Sequence, residues 1–171
     1  MTELGDSVRV SVSVRTPVVE AFRIFTEEID LWWRRGLRYR VGRGRSVLHL
    51  EPKLGGRLFE TYDTRVRQRV FVSGTLTAWD PPHRFVLEWR AVNFAPNEKT
   101  EVEVKFEPTA TGTLVTLEHR GLAALRPDHP VRHGESTTSF LRRLGLWWGD
   151  LAQALRLHAS RGVPASAGEP E

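Results

Sequence analysis

Two histidines in strand-like segments are the side chains best suited to acid–base chemistry in this chain. His49 lies in the segment VLHLE and His119 in the segment LEHRG, and Glu51 follows His49 by two residues. A histidine and a carboxylate that face one cavity could exchange protons with a substrate, as a cyclase or hydrolase requires. These three residues are therefore the candidates for a catalytic role.

The alternation of side chains along a strand assigns the two histidines to faces. His119 has the same parity as Val115 and Leu117, which indicates an inward side chain. His49 has the parity opposite to its leucine neighbours, so it faces solvent or a polar cavity. For His119, a hydrogen-bonded structural histidine at the end of a strand is a better interpretation than a catalytic one.

Nucleophiles and further carboxylates offer no stronger site. Glu60 and Glu88, like Glu51, fit the polar outer face of an antiparallel sheet. The chain contains no cysteine, which excludes disulfides, thiolate metal sites and a cysteine nucleophile. It also contains no Gly-x-Ser-x-Gly elbow. We therefore interpret the chain as a binding protein more readily than as an enzyme, and we expect no cofactor.

The segment PDHPVRH offers one set of potential metal ligands. Asp128, His129 and His133 carry suitable donor atoms. Pro130 argues against a regular helical face shared by the two histidines, and the spacing supplies no further strong ligand. A solvated loop is the better interpretation, so we expect no metal site.

The elements that must position these residues follow from hydrophobic periodicity. The segment SVRVSVSVR alternates strictly and predicts a half-buried strand. A helix at TPVVEAFRIF and a second short helix or turn at EEIDLWW follow it. After about residue 44 the pattern predicts some six antiparallel strands joined by short turns, and the final segment, STTSFLRRLGLWWGDLAQALRLHASR, predicts one long helix.

This order of elements predicts an α+β fold of the helix-grip type. A curved antiparallel sheet would wrap around the long C-terminal helix, with two short helices after the first strand. We expect a single domain over residues 1–160 and a disordered tail over residues 161–171. Because one helix cannot fill the concave face of such a sheet, we also expect a cavity between them.

Aromatic and leucine side chains from the short helices, the sheet and the long helix should converge on this cavity. The chain contains six tryptophans, and plain core packing is the alternative explanation for each of them. Trp147 and Trp148 are consecutive in a helix and so cannot face the same way. The predicted lining is Phe22, Trp32, Trp33, Phe59, Phe85, Trp89, Phe106, Leu117, Phe140, Leu144, Trp147, Trp148 and Leu151.

Several motifs resemble one branch of the SRPBCC superfamily, also called START/Bet v 1-like. The segment TPVVEAFRIFTEEIDLWW is similar to a helix that ends in Trp-Trp, and LEPKLGGRLFE to a Glu-Pro-x-x-Gly-Gly-Arg turn. GTLTAWDPPHRFVLEWR and TEVEVKFEPTATGTLVTLEHRGL resemble two strand pairs of the same branch, and residues 147–155 resemble its final helix. This branch is typified by the C-terminal domain of the activator of heat-shock-protein-90 ATPase. The resemblance covers roughly residues 8–158 and implies a fold more than a function.

The chain departs from that branch in an arginine-rich segment at residues 34–45. Six arginines fall in RRGLRYRVGRGR. A solvated loop is the preferred interpretation, because no nucleic-acid motif accompanies the cluster and a nucleic-acid partner is therefore not expected. Arg34, Arg35 and Arg38 could alternatively contact an anionic group of a ligand.

The glycine pair Gly55–Gly56 could in principle cradle a phosphate. A phosphate loop leads into a helix N-terminus, whereas Arg57 and another alternating strand follow this pair. The pattern instead predicts a tight hairpin turn that needs a positive φ.

Three functional hypotheses remain open, in order of preference. The first is a binding domain for a small apolar or aromatic ligand, with an acidic group near the arginine-rich segment. The second is a cyclase- or hydrolase-like enzyme. The third is a stress-response or co-chaperone-like interaction module. The eukaryotic co-chaperone largely engages its chaperone through an N-terminal domain, for which we expect no counterpart here. No signal pattern and no apolar run of membrane-spanning length occur, so we expect a cytoplasmic protein without a membrane partner, with a homodimer as an open alternative.

Overall fold

A seven-stranded antiparallel sheet and one long helix build residues 7–90, 94–126 and 128–161, which the computed structural model describes. The strands are β1 (Ser7–Val14), β2 (Ser46–Leu50), β3 (Arg57–Asp63), β4 (Gln68–Asp80), β5 (Arg84–Trp89), β6 (Thr100–Thr109) and β7 (Gly112–Arg120). The helices are α1 (Val18–Glu27), α2 (Ile29–Trp32) and α3 (Thr137–Arg161), with short 3₁₀ turns at Leu122–Ala124 and Pro130–Arg132. The predicted α+β helix-grip architecture is confirmed, and the predicted tail lies, beyond Arg161, outside the described residues.

The strands β2 to β7 form a meander, and β1 lies at its far edge, next to β7. The strand order of the sheet is β1-β7-β6-β5-β4-β3-β2, and every neighbouring pair is antiparallel. Consecutive strands from β2 to β7 are therefore neighbours in the sheet, as the regular spacing of the turn signals indicated. β1 instead pairs with β7, with Val10 opposite Leu117.

The helix α3 covers the concave face of the sheet with one apolar side. Phe140, Trp148, Leu151 and Leu155 are buried on this helix, at the spacing that its sequence predicted. Val8, Val12 and Val14 of β1 are buried on the facing side of the sheet. The side chains that recur about every 3.6 residues on α3 and every second residue on β1 therefore pack together in one core.

The turn between β2 and β3 uses its two glycines for different reasons. Gly55 has a φ of 78°, in the left-handed region that favours glycine. Gly56 has no space for a side chain, because a Cβ there would overlap the carbonyl oxygen of Glu51 and lie 2.7 Å from that of Lys53. The predicted hairpin turn is confirmed.

Side chains rather than another strand satisfy the outer edge of β2. The Leu48 N–H donates to Asp30 Oδ1 over 2.9 Å, and the Ser46 carbonyl accepts hydrogen bonds from Arg35 and Arg40. An edge strand with free backbone groups invites pairing with other chains, and these three side chains close this edge.

None of the helices in the described ranges combines the length and the apolarity that crossing a bilayer would require.

Candidate functional site

The first half of α3 and the sheet border a cavity of about 560 Å³ that is partly open to solvent. α3 stands over it, Trp89 and His119 contribute from the sheet, and the segment between β7 and α3 closes one side. Its lining is Leu37, Arg38, Trp89, Phe94, His119, Leu122, Leu125, Val131, His133, Phe140, Arg143, Leu144 and Trp147. Most of these side chains are apolar, so the space suits an apolar guest.

A second compartment of about 390 Å³ adjoins the first. Four residues line both spaces and mark the boundary between them: Leu37, Arg38, Trp89 and Trp147. The second compartment has its own polar groups, with Glu60, Ser73, Tyr39 and Arg90 among its lining residues. A guest long enough to pass the boundary would therefore meet a mainly apolar wall in both compartments, with different polar groups in each.

Residues 34–42 form the roof of both compartments, and Arg40 anchors this roof. Only 4% of Arg40 is exposed, and its guanidinium group lies 2.6 Å from Asp30 Oδ1. It also donates to the carbonyl oxygens of Trp33, Arg34 and Ser46. Arg40 therefore connects α2, the roof and the edge strand β2 through one buried side chain.

Glu60 holds the other end of the roof from the inner face of β3. Its two carboxylate oxygens accept the backbone N–H groups of Val41 and Gly42, each over 2.9 Å, and only 3% of the residue is exposed. The assignment of Glu60 to the outer face was wrong. It shares the inner face of β3 with Leu58, which is also buried.

The middle of the roof rests on the side of α3. The Trp147 indole donates to the Arg38 carbonyl over 2.8 Å, and the Tyr39 hydroxyl donates to Asp150 over 3.0 Å. The Tyr39 ring stacks on Trp147, with centroids 5.9 Å apart. Burial of Tyr39 and its hydrogen bond to the Asp150 carboxylate raise the pKa of the phenol. The roof and α3 are thus held in one arrangement over the cavity.

His119, at the base of the first cavity, is fixed in one tautomer by a chain of hydrogen bonds. Trp148 donates its indole N–H to His119 Nδ1 over 3.1 Å, so this nitrogen carries no proton. His119 Nε2 then donates to the Thr100 hydroxyl over 2.6 Å, and that hydroxyl donates to the Trp89 carbonyl. All of the polar ring atoms are satisfied, as in a structural histidine.

Sequence and fold comparisons give the chain its relatives. The sequence profile of the family described as "Activator of Hsp90 ATPase homolog 1-like protein" matches residues 15–145, which is well over half of the chain.

The chain belongs to this family.

Its fold is of the SRPBCC type, as the resemblance implied. The matched range contains both roof anchors, Arg40 and Glu60, and ends just before Trp147 and Trp148. A comparison with curated proteins gives no match.

Solved structures of similar fold extend over nearly the whole chain. A protein from Cytophaga hutchinsonii has a TM-score of 0.67 at 11% identity, over 96% of this chain and 100% of its own. One from Mesorhizobium loti has a TM-score of 0.62 at 18% identity, over 92% and 98%. An AHSA1-like protein from Aeromonas hydrophila has a TM-score of 0.59 at 12% identity, over 96% and 99%. At these identities the likeness concerns the fold alone.

The three candidate catalytic residues do not come together. His49 is on the outer face of the sheet, where its ring stacks on Phe59 with centroids 4.7 Å apart. Glu51 lies in the hairpin turn and accepts hydrogen bonds from the backbone and side chain of Arg57. Of the three, His119 alone reaches the cavity. No pair of titratable groups is formed by these residues, so the enzyme hypothesis loses its proposed machinery.

The predicted cavity lining divides into three groups. Trp33, Trp89, Phe140, Leu144 and Trp147 line one or both compartments. Phe59 faces the opposite side of the sheet, beside His49. The remaining residues pack in the closed core: Phe22, Trp32, Phe85, Phe106, Leu117, Trp148 and Leu151. Core packing therefore explains about half of the predicted set, and ligand contact by the first group stays a prediction.

The arginines of the roof have three different environments. Arg34 donates to the Asp150 carbonyl, and Arg35 donates to the Ser46 carbonyl and to Asp30, so both are engaged with the protein. Arg38 lines both compartments. The interpretation of this segment as a solvated loop was wrong for Arg40, which is buried in a salt bridge. Of the three predicted anion contacts, Arg38 is the one placed at the cavity.

The PDHPVRH segment also differs from a solvated loop. His129 is buried against the Phe94 ring, and its Nδ1 accepts the Val131 N–H. His133 is exposed and lines the first cavity. Among the described residues, no group of three or more histidine, aspartate or glutamate side chains is placed to hold a metal ion.

Sequence reasoning missed the wall of the first cavity that lies between the sheet and α3. Leu122, Leu125 and Val131 form this wall, together with Phe94 from the β5–β6 connection. These residues lie in irregular segments, where no helical or strand period marks the buried side. A run of apolar residues in a loop, such as GLAAL, was the available signal.

The environment of His119 leads to a pH prediction. Burial lowers the pKa of His119 from 6.5 to about 3. Between these values the unfolded chain binds a proton that the folded chain does not, so the free energy of unfolding must fall as pH falls below 6.5. We expect this residue to contribute a loss of about 1.4 kcal/mol for each pH unit in that range.

The measurement is the pH dependence of unfolding by urea for the wild type and for His119→Gln, which cannot titrate. The variant should lose stability less steeply between pH 6.5 and pH 5. The ring resonances of His119 in the wild type give an independent check, since they should show no titration while the protein stays folded. A midpoint near 6.5 in those resonances would contradict the assignment.

Proposed function

We propose that the chain binds a small aromatic or apolar molecule that carries one anionic group. The observation that supports this most directly is the pair of adjoining compartments, of about 560 and 390 Å³, with Arg38 on their boundary. Both volumes fall within the usual range of small-molecule sites, which is about 300–1,000 Å³. The family match is consistent with a binding role and names no ligand for this chain.

The lining supports an aromatic guest. Trp89 and Trp147 contribute to both compartments, and Phe140 and Leu144 contribute to the first. Flat aromatic rings at a boundary can stack on a ring that passes between them, and such pairs prefer offset or edge-to-face geometry. The apolar body of the ligand would therefore lie in the first compartment, under α3.

The environment of Arg38 is the observation that favours an anionic group on the ligand. Its guanidinium lies 3.9 Å from Asp150 and 5.7 Å from the Tyr39 ring centre, and it makes no close ion pair among the described residues. The neighbouring Arg143 is instead engaged by Glu135 and the Val131 carbonyl. A carboxylate or sulfonate at the boundary would give Arg38 a closer charge-assisted partner than Asp150 provides.

The test uses 1-anilinonaphthalene-8-sulfonate, an aromatic anion, with the folded full-length chain. Binding should enhance the fluorescence of the probe and raise the melting temperature, since a ligand that binds the folded state stabilises it by mass action. Leu144→Trp should fill the first cavity and abolish this binding. Leu146→Trp is the matched control, because Leu146 is an exposed residue on the same helix.

A second variant tests the anionic contact separately. Arg38→Gln should weaken binding of the sulfonate roughly tenfold or more, which is the worth of a hydrogen bond between charged groups. It should leave binding of the neutral N-phenyl-1-naphthylamine unchanged. Arg45→Gln is the control, because Arg45 is exposed and does not line either compartment. Equal losses for both probes, or undiminished binding in Leu144→Trp, would overturn the proposal.

The interaction-module hypothesis and the homodimer stay predictions. The arginines through which the former was to act, Arg34 and Arg35, are hydrogen-bonded within the chain. Charge reversal at these positions would therefore disturb the roof as well as any partner.

A further inference from the structure

Five exposed arginines gather at the end of the sheet where β3 turns into β4. They are Arg43 and Arg45, which precede β2, and Arg65, Arg67 and Arg69, which lie in and beside the β3–β4 hairpin. We call this group the basic apex. Its position on a hairpin tip, away from α3, separates it from the cavity lining.

The register of the sheet brings the two parts of the apex together. Ser46, the first residue of β2, lies opposite Tyr62, and Tyr62 lies opposite Arg69 on β4. The hairpin closes with the Thr64 N–H donating to the Arg67 carbonyl. The segment before β2 therefore leaves the sheet at the same end at which the hairpin turns over.

The charge of the apex is not balanced by neighbouring residues. None of the five guanidinium groups makes an ion pair or a hydrogen bond with any part of the chain that the structure describes, whereas Arg40, Arg57 and Arg120 all have carboxylate partners. Asp63 is the acidic residue within the hairpin. The five arginines and Asp63 together carry a formal charge of +4. The whole chain also has a net charge of +4, so the rest of the protein is formally neutral.

An apolar surface continues from this charged tip. Val66 lies at the turn between Arg65 and Arg67 and is 90% exposed. Val47 and Val70 are also exposed, and both are opposite Thr61 on the outer face of the sheet. Basic side chains around a protruding apolar residue are the arrangement by which peripheral proteins enter the headgroup region of an anionic bilayer.

Two other classes of partner fit less well. A protein segment that added a strand would need a free edge, and Asp30, Arg35 and Arg40 close the edge of β2 next to the apex. Single-stranded nucleic acid is bound through aromatic side chains that stack on bases; residues 63–69 contain none, and Tyr62 beside them is half-buried on the inner face. Phosphates alone would leave Val66 in water.

We propose that the basic apex docks the protein on membranes that contain anionic phospholipids. This differs from the expectation that the chain has no membrane partner, which considered spanning segments and not surface binding. Glu60 and Phe71 are opposite each other on β3 and β4 and line the second compartment. The next inward-facing pair of residues toward the hairpin tip is Tyr62 and Arg69. Arg69, on the inner face, is thus the part of the apex that adjoins that compartment, whereas Val47 and Val70 lie on the outer face, and docking does not depend on ligand binding.

The test is sedimentation of the full chain with phosphatidylcholine vesicles, with and without phosphatidylserine. We expect binding to the vesicles that contain phosphatidylserine, and a loss of this binding as salt is added. The triple variant Arg65→Gln, Arg67→Gln, Arg69→Gln should bind roughly 100-fold more weakly, since each basic residue near an anionic surface contributes about fivefold.

A matched triple variant shows whether position or total charge matters. Arg15, Arg142 and Arg156 are also exposed arginines without an ion pair among the described residues, and they lie outside the apex. Changing these three to glutamine removes the same charge and should lower binding much less. Val66→Ser should weaken vesicle binding several-fold and leave its salt dependence unchanged. Melting temperatures of all variants establish that they are folded.

Three results would overturn the proposal. The first is no difference between the vesicles with and without phosphatidylserine. The second is an equal loss of binding in the two triple variants, which would indicate a bulk charge effect. The third is binding to a labelled DNA duplex, or to an acidic protein such as polyglutamate, at salt concentrations where the vesicles are not bound.

Discussion

Arg40→Met is expected to lower the free energy of unfolding by about 3–5 kcal/mol, the usual cost of removing one partner from a buried ion pair. The methionine would remove the closer of the two cations that pair with the Asp30 carboxylate, since Arg35 lies at 3.4 Å, and it would leave the carbonyl oxygens of Trp33 and Arg34 without this donor. Urea unfolding at neutral pH measures this change. The roof should loosen as well, so binding of the aromatic anion should weaken even where the variant stays folded.

The matched control is Arg43→Met in the same segment. Arg43 is exposed and has no ion pair within the described part of the chain, so this variant should stay within about 0.5 kcal/mol of the wild type. The pKa of Asp30 provides a second measurement. Burial raises this pKa, but the Leu48 N–H and Arg40 together hold it below its ordinary value of 3.8, and it should rise in Arg40→Met. A stability loss under 1 kcal/mol would show that Arg40 does not anchor the roof.

Gly56→Val should destabilise the protein by about 3 kcal/mol, at the upper end of the usual cost of overpacking. A valine Cβ would overlap the Glu51 carbonyl oxygen and approach that of Lys53, and backbone atoms cannot move aside as a flexible side chain can. The turn also contacts β4, where the Leu76 N–H donates to the Gly56 carbonyl over 2.7 Å. Displacement of the turn would therefore disturb three strands.

Thermal unfolding of Gly56→Val measures the effect, and Gly149→Val supplies the control. A Cβ atom at Gly149 meets nothing within 4 Å, and glycine and valine differ little in helix propensity, so this change should cost less than about 0.5 kcal/mol. If the two variants melt together near the wild-type temperature, close packing at Gly56 is not what requires a glycine there.

The elements with a clear period could be predicted from the sequence. The alternation of β1 and the buried face of α3 both appear in the structure, because each of them buries one face against a single layer. β3 was harder to interpret. Leu58 and Phe59 are adjacent and apolar, so alternation alone allows either parity, and the β2–β3 pairing decides that Leu58 and Glu60 face inward.

The candidate site depended on contacts between distant parts of the chain. Arg40 is buried because Asp30 and the start of β2 surround it. Six arginines occur in residues 34–45, and nothing in the sequence distinguishes the one whose side chain is buried. The role of His119 as a structural residue could be anticipated. Its partners Thr100 and Trp148 could not, because they come from another strand and from α3.

The pairing of β1 with β7 has a consequence for the order in which the chain acquires its structure. More than a hundred residues separate Ser11 from its hydrogen-bonding partner Thr116, and β1 also packs against α3, the last element of the described chain. Closing so long a loop is entropically costly and slows folding. During synthesis the meander from β2 to β7 can pair as it emerges from the ribosome, whereas β1 must wait, with its valines exposed, until β7 and then α3 have also emerged.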